Sequence, residues 1–271
     1  MAGQAPTERA IDPPALVAQP QPMALAVADQ AMPAADEPQT WPYFGEDEIA
    51  AVAQVLRSGR VNQWTGERVR QFEQRLAQHC AVRRAIAVAN GSLALELALI
   101  ALGIGPGDEV IVTSRSFIAS ASCVDQVGAH PVFADVDAAS QNITPQTIAP
   151  LVTDRTRAII AVHLAGWPCD MPAIMALARQ HGLYVIEDCA QAIGAGIAGA
   201  RVGSFGHAAA FSFCQDKIIT TGGEGGALVT NDENLFRLAW SYKDHGKDWE
   251  KANTPATDTN YRWMHSQIGS N

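Results

Sequence analysis

Apolar positions recur along this chain in two rhythms. In Gly45–Gly59, GEDEIAAVAQVLRSG, Ile49, Val52, Val55 and Leu56 share one helical stripe behind an acidic start, and Gly59 marks the stop. Val69, Phe72, Leu76 and Cys80 repeat that spacing in Glu67–Cys80, which predicts a second amphipathic helix. Short apolar runs then predict strands: AIAVA (Ala85–Ala89), EVIVT (Glu109–Thr113), HPVFADV (His130–Val136), TRAIIAVHL (Thr156–Leu164), LYVIED (Leu183–Asp188), AAAFSF (Ala208–Phe213) and GALVTN (Gly226–Asn231). Helical stretches lie between them. SLALELALIALGI (Ser92–Ile104) is apolar nearly all round, so it is expected deep in the core. A further helix follows EVIVT, and MPAIMALARQHG (Met171–Gly182) is a helix that ends at its glycine. Strands that read as continuous apolar runs, alternating with helices, predict an α/β fold: a mostly parallel sheet covered by helices on both faces. No internal repeat is visible.

Residues 1–40 break the pattern. They hold seven of the 15 prolines among Ala and Gln, which predicts a disordered extension and a folded domain over residues 41–271. The one rival, a secretory signal at MALAVA (Met23–Ala28), is short and has no basic region before it. A formal net charge of -9 argues against a nucleic-acid partner, because phosphate backbones recruit basic surfaces. Five scattered cysteines with no C-x-x-C pair fit reduced thiols and a cytoplasmic location. No apolar run is long enough to span a bilayer.

Three strand ends carry candidate chemistry, since ligands of parallel sheets gather beyond the carboxyl ends of strands. In AVANGS (Ala87–Ser92) a strand runs into a helix through Gly91 and Ser92, which is either an anion site or an ordinary turn with a serine cap. In YVIEDCAQAIGA (Tyr184–Ala195), Glu187 and Asp188 adjoin at the end of a buried strand and point to opposite faces, and a buried acid needs a partner. In FSFCQDKIITTGGEGG (Phe211–Gly226), Lys217 stands alone, five residues after Ser212. The other three lysines, Lys243, Lys247 and Lys251, sit together in a polar stretch. The spacings of a P-loop and of a dinucleotide fingerprint are both absent.

An anion site, a buried carboxylate and an isolated amine are together what pyridoxal 5'-phosphate (PLP) needs. Its phosphate takes N–H donors, its ring nitrogen takes an anion and its aldehyde takes an amine. No metal is called for. The segments SGRVNQWTG, NGSLALELALIALGIGPGDEVIV, VIEDCAQAIGA, GSFGHAAAFSFCQDK and TGGEGGALVTND resemble the DegT–StrS family of nucleotide-sugar aminotransferases, of the type I aminotransferase fold, over about Trp41 to Asn271. The resemblance implies a transaminase that moves an amino group from glutamate to a nucleotide-linked keto-sugar, feeding surface polysaccharides or glycosylated metabolites. It implies Lys217 as the catalytic Schiff-base lysine, Asp188 at the pyridine nitrogen and Gln191 at the 3-hydroxyl oxygen. Gly91, Ser92 and Ser212 would hold the phosphate, and Phe117 would stack on the ring. His163, at a strand end, reads equally well as a core histidine and stays off the catalytic set.

The family continues past GSN with a further motif and a small C-terminal domain, so the expectation is a large domain without its small one and an impaired product. In the family an asparagine of that motif reaches the partner's cofactor phosphate across a homodimer. Asn271 matches it better than Asn260 does. Two alternatives are an inactive or regulatory relative and a PLP-dependent sugar dehydratase. In the dehydratases a histidine replaces the lysine, and Lys217 argues against them.

Overall fold

The computed structural model describes residues 41–254 and 263–270. The expected disorder of residues 1–40 and the assignments to Asn260 and Asn271 lie outside the described residues. The elements in chain order are α1 (Glu46–Ser58), α2 (Arg68–Cys80), β1 (Arg84–Val88), α3 (Gly91–Ala101), β2 (Glu109–Thr113), α4 (Ala119–Gln126), β3 (His130–Ala134) and α5 (Pro145–Ile148). There follow β4 (Thr156–Val162), α6 (Met171–His181), β5 (Tyr184–Asp188), the short ribbon β6 (Gly196–Ile197) and β7 (Ala200–Arg201), β8 (Ala208–Ser212), β9 (Gly226–Thr230), α7 (Glu233–Lys243) and α8 (Trp249–Asn253).

Seven strands form one sheet in the order β1-β9-β8-β5-β4-β2-β3. All pairings are parallel except the two made by β9, which opposes both β1 and β8. The expected mostly parallel α/β sheet is therefore present, with one reversed strand. The reversal has a local cause. β8 and β9 are joined by a loop with no helix, and only antiparallel neighbours can be linked without a crossover.

Period two sorts the strands onto two cores. Val110, Val112, Ile160, Ile186, Ala210 and Leu228 face α3, α4 and α7, where they meet Leu95, Leu99, Val124 and Phe236. Ile111, Ile159 and Val185 face α6 through Met171 and Ile174. Phe211 and Val229 face α2 through Leu76 and Cys80. Each fully buried Ile or Leu adds roughly 1.5–3 kcal/mol. The free edge of β1 is not left open, because Glu73 of α2 accepts a hydrogen bond from Ala87 N–H at 2.9 Å.

Two glycine stops appear as read, with Gly59 and Gly182 left-handed at the ends of α1 and α6. The stripe of α1 behaves differently from its period. No residue of that helix is buried, and Leu56 is 66% exposed.

Candidate active site

The carboxyl ends of β1, β5 and β8 and the start of α4 converge on a cavity of about 460 Å³. Its wall includes every described residue of the expected cofactor shell: Gly91, Ser92, Phe117, Asp188, Gln191, Ser212 and Lys217. Four separate segments supply them.

The β1–α3 turn is capped by Asn90, whose Oδ1 accepts from Leu93 N–H at 2.9 Å. The cap is therefore Asn90, two residues before the serine considered from sequence, and the Ser92 hydroxyl is not spent on capping. Gly91 and Ser92 occupy the first two helical positions, where N–H groups have no acceptor within the helix. Gly91 must be a glycine. A Cβ there would lie 2.8 Å from Ser212 Cβ, so β8 could not come up against the turn.

Glu187 and Asp188 do point to opposite faces of β5. Glu187 is fully buried and accepts from Gly203, Phe205 and Gly206 N–H at 2.8, 2.8 and 2.7 Å. It also meets His163 Nε2 at 3.0 Å. His163 Nδ1 accepts from Cys169 N–H at 3.1 Å, so its ring proton sits on Nε2 and goes to Glu187. His163 is therefore a satisfied core histidine. With Cys189 these two make a group of potential metal ligands within 4.8 Å of one another. The Glu187 carboxylate and His163 Nδ1 are already committed to backbone N–H donors.

Asp188 faces the cavity side. Its Oδ2 accepts from Ser120 Oγ at 2.8 Å and its Oδ1 from Ala190 N–H at 3.1 Å. Burial pushes its carboxyl above the ordinary range, and the hydrogen bonds from Ser120 and Ala190 and the Lys217 charge pull it back. Gln191 is oriented by the turn after β4: its Oε1 accepts from Ala165 N–H at 2.7 Å, which leaves the amide NH₂ to donate. Ala165 presents that N–H from a left-handed backbone, φ 51°.

Lys217 Nζ pairs with Asp216 Oδ2 at 2.9 Å. Phe117 is 68% exposed, so it is not the core residue that a phenylalanine usually is. The cysteines are free. Burial pushes the Cys80, Cys123 and Cys169 thiols up to about 12, and Asp216 beside Cys214 raises that thiol too, so none is primed as a nucleophile.

Sequence reading missed Ser120, Ser116, Asn90 and Ala165. Ser116 precedes α4, so no helical period pairs the two serines in the sequence, and for Ala165 there was no signal either.

The DegT/DnrJ/EryC1/StrS aminotransferase family profile matches residues 42–270. GDP-perosamine synthase of Caulobacter vibrioides is 46% identical over 74% of this chain and 54% of its own length. UDP-N-acetyl-3-dehydro-alpha-D-glucosamine 3-aminotransferase of Acidithiobacillus ferrooxidans is 51% identical over 68% of this chain and 50% of its own. The X-ray structure of an aminotransferase from Psychrobacter cryohalolentis superposes with a TM-score of 0.84 at 57% identity, covering 86% of this chain and 59% of that one. The chain thus spans about half the length of the curated relatives it matches.

Proposed function

Because the chain belongs to the DegT/DnrJ/EryC1/StrS aminotransferase family, we propose that it is the cofactor-holding part of a PLP-dependent transaminase acting on nucleotide-linked keto-sugars, with glutamate as amino donor. The observation that carries this reading is that Asp188 and Lys217, distant in sequence, line one cavity. The residues present fit the cofactor: a buried carboxyl at a cavity wall, bare helix-start N–H groups beside a serine hydroxyl, and an amine in the facing loop. The cavity volume lies within the usual range for cofactor sites.

Bound PLP supplies an aldehyde that condenses with amines and a ring that accepts electrons from the adjacent carbon. Lys217 Nζ would hold the cofactor, and its free amine would carry a proton to and from the substrate carbon. Asp188 would keep the ring nitrogen protonated. Gln191 Nε2 would donate to the ring oxygen. Gly91 and Ser92 N–H groups and the Ser212 hydroxyl would bind the phosphate. Phe117 would cover one ring face. Asn271, outside the described residues, keeps the role that the family resemblance implies, toward the phosphate of a second copy, so the working unit in this reading is a homodimer. Among the described residues no helix is long and apolar enough to cross a membrane. The free thiols fit the reducing cytoplasm.

The test is the first half-reaction. Protein loaded with PLP is mixed with glutamate, and 2-oxoglutarate and the spectrum are followed. Stoichiometric 2-oxoglutarate, lost in Lys217→Ala, supports the reading. Cofactor uptake with no keto acid from glutamate or any other amino acid would favour the non-catalytic alternative.

A further inference from the structure

Resting on the reading of Asp188 as the partner of the cofactor's ring nitrogen, we infer that Ser120 and Ser116 form a directed hydroxyl relay that holds the Asp188 carboxylate ionised and aimed, making Ser120 a positioning residue of this site. Ser120 lies in the first turn of α4 and is 1% exposed. Its Oγ is 2.8 Å from Asp188 Oδ2 and 2.7 Å from Ser116 Oγ. An ionised carboxylate only accepts, so Ser120 donates to Asp188. That spends its single proton, so Ser116 must donate to Ser120. Both O–H dipoles then point toward the charge, and each strengthens the other.

The surroundings explain why such a device is needed. Burial opposes the charge on Asp188, and among the described residues Ala190 N–H is the only backbone donor to the carboxylate. Just after β4, His163 turns its Nε2 to Glu187 and accepts from Cys169 N–H at Nδ1. On the other face of β5, Glu187 is engaged with the loop at residues 203–206. The Cys123 and Cys189 thiols, both raised by burial, stay uncharged. Lys217 is tied to Asp216. Ser120 is thus the side chain that directly meets the carboxylate.

The test compares the affinities of cofactor-free wild type, Ser120→Ala, Ser120→Thr and Ser116→Ala for two ligands. One is PLP, and the other is its 1-deaza analogue, with carbon in place of the ring nitrogen. The relay predicts that Ser120→Ala loses roughly ten-fold in PLP affinity, the effect of removing a hydrogen bond to a charged group. It predicts no loss for the analogue, recovery in Ser120→Thr and a smaller PLP-selective loss in Ser116→Ala. Equal losses for both ligands would mean that Ser120 merely packs and would overturn the inference, as would an unchanged PLP affinity. If wild type takes up no PLP, the reading of the site falls as well, whereas wild-type uptake with unaltered variants sinks the relay alone. Ser116→Ala, less buried, keeps the test decisive if Ser120→Ala fails to fold.

Discussion

Gly226 at the start of β9 lies against Asn90 so closely that a methyl on the glycine would run into the Asn90 carbonyl, with Gly91 N only 2.7 Å away. The two residues clamp the β1–α3 turn onto the sheet next to Ser212, which pairs with Gly226 in the β8–β9 ladder. The Gly91–Ser92 end of the cavity is held by this backbone-to-backbone approach.

Gly226→Ala therefore forces the turn and the sheet apart. Overpacking of this kind costs about 1–3 kcal/mol. A lower thermal midpoint together with weaker cofactor retention is expected. An unshifted midpoint would show that the turn yields freely.

Glu187 anchors the loop at residues 203–206 through three backbone N–H groups. Removing a buried acceptor of this kind strands its donors. Glu187→Ala should cost about 3–5 kcal/mol in urea unfolding. A cost under about 1 kcal/mol would mean that the loop finds other partners.

Asp188 makes the opposite prediction for stability, because burial raises its folded pKa above the unfolded value. Its contribution is fully present below the ordinary aspartate pKa and is lost as pH rises through the raised value. In cofactor-free protein, Asp188→Asn should thus gain on wild type as pH rises from about 4 toward neutrality. Melting curves at acid and neutral pH measure it. A variant that instead loses ground to wild type as pH rises contradicts the assignment of burial as the dominant cause.

Phe117 is mostly exposed, so Phe117→Ala should leave stability within about 0.5 kcal/mol. If its ring stacks on the cofactor, about 0.5–1.5 kcal/mol of binding goes with it, a loss of roughly two- to twelve-fold measured by fluorescence titration. Unchanged affinity removes Phe117 from the site.

The sequence carried most of the elements because burial on both faces leaves continuous apolar strands, and helices such as α3 and α6 show their period or composition directly. Strand direction was not legible. GALVT reads the same whether β9 runs with its neighbours or against them. Nor does the α1 stripe reveal whether it meets a partner, since period reports only that one face is apolar. At the site, Lys217 and Asp188 stood out as polar groups near strand ends, whereas Gln191 was named only through the family resemblance. Ser120 did not, because a serine in a helix start is an ordinary residue until the fold sets it against a carboxylate contributed by another strand. Ala165 was invisible for a related reason, as its contribution is a backbone N–H.

The central claim is that Lys217 is the amine that holds the cofactor, and the chain has only four lysines to choose from. The direct measurement is to load the protein with PLP, reduce it with borohydride, digest it and map the pyridoxyl group by mass spectrometry. The account predicts a single modified site at Lys217. Label on Lys243, Lys247 or Lys251 instead, or label unchanged in Lys217→Ala, would contradict it.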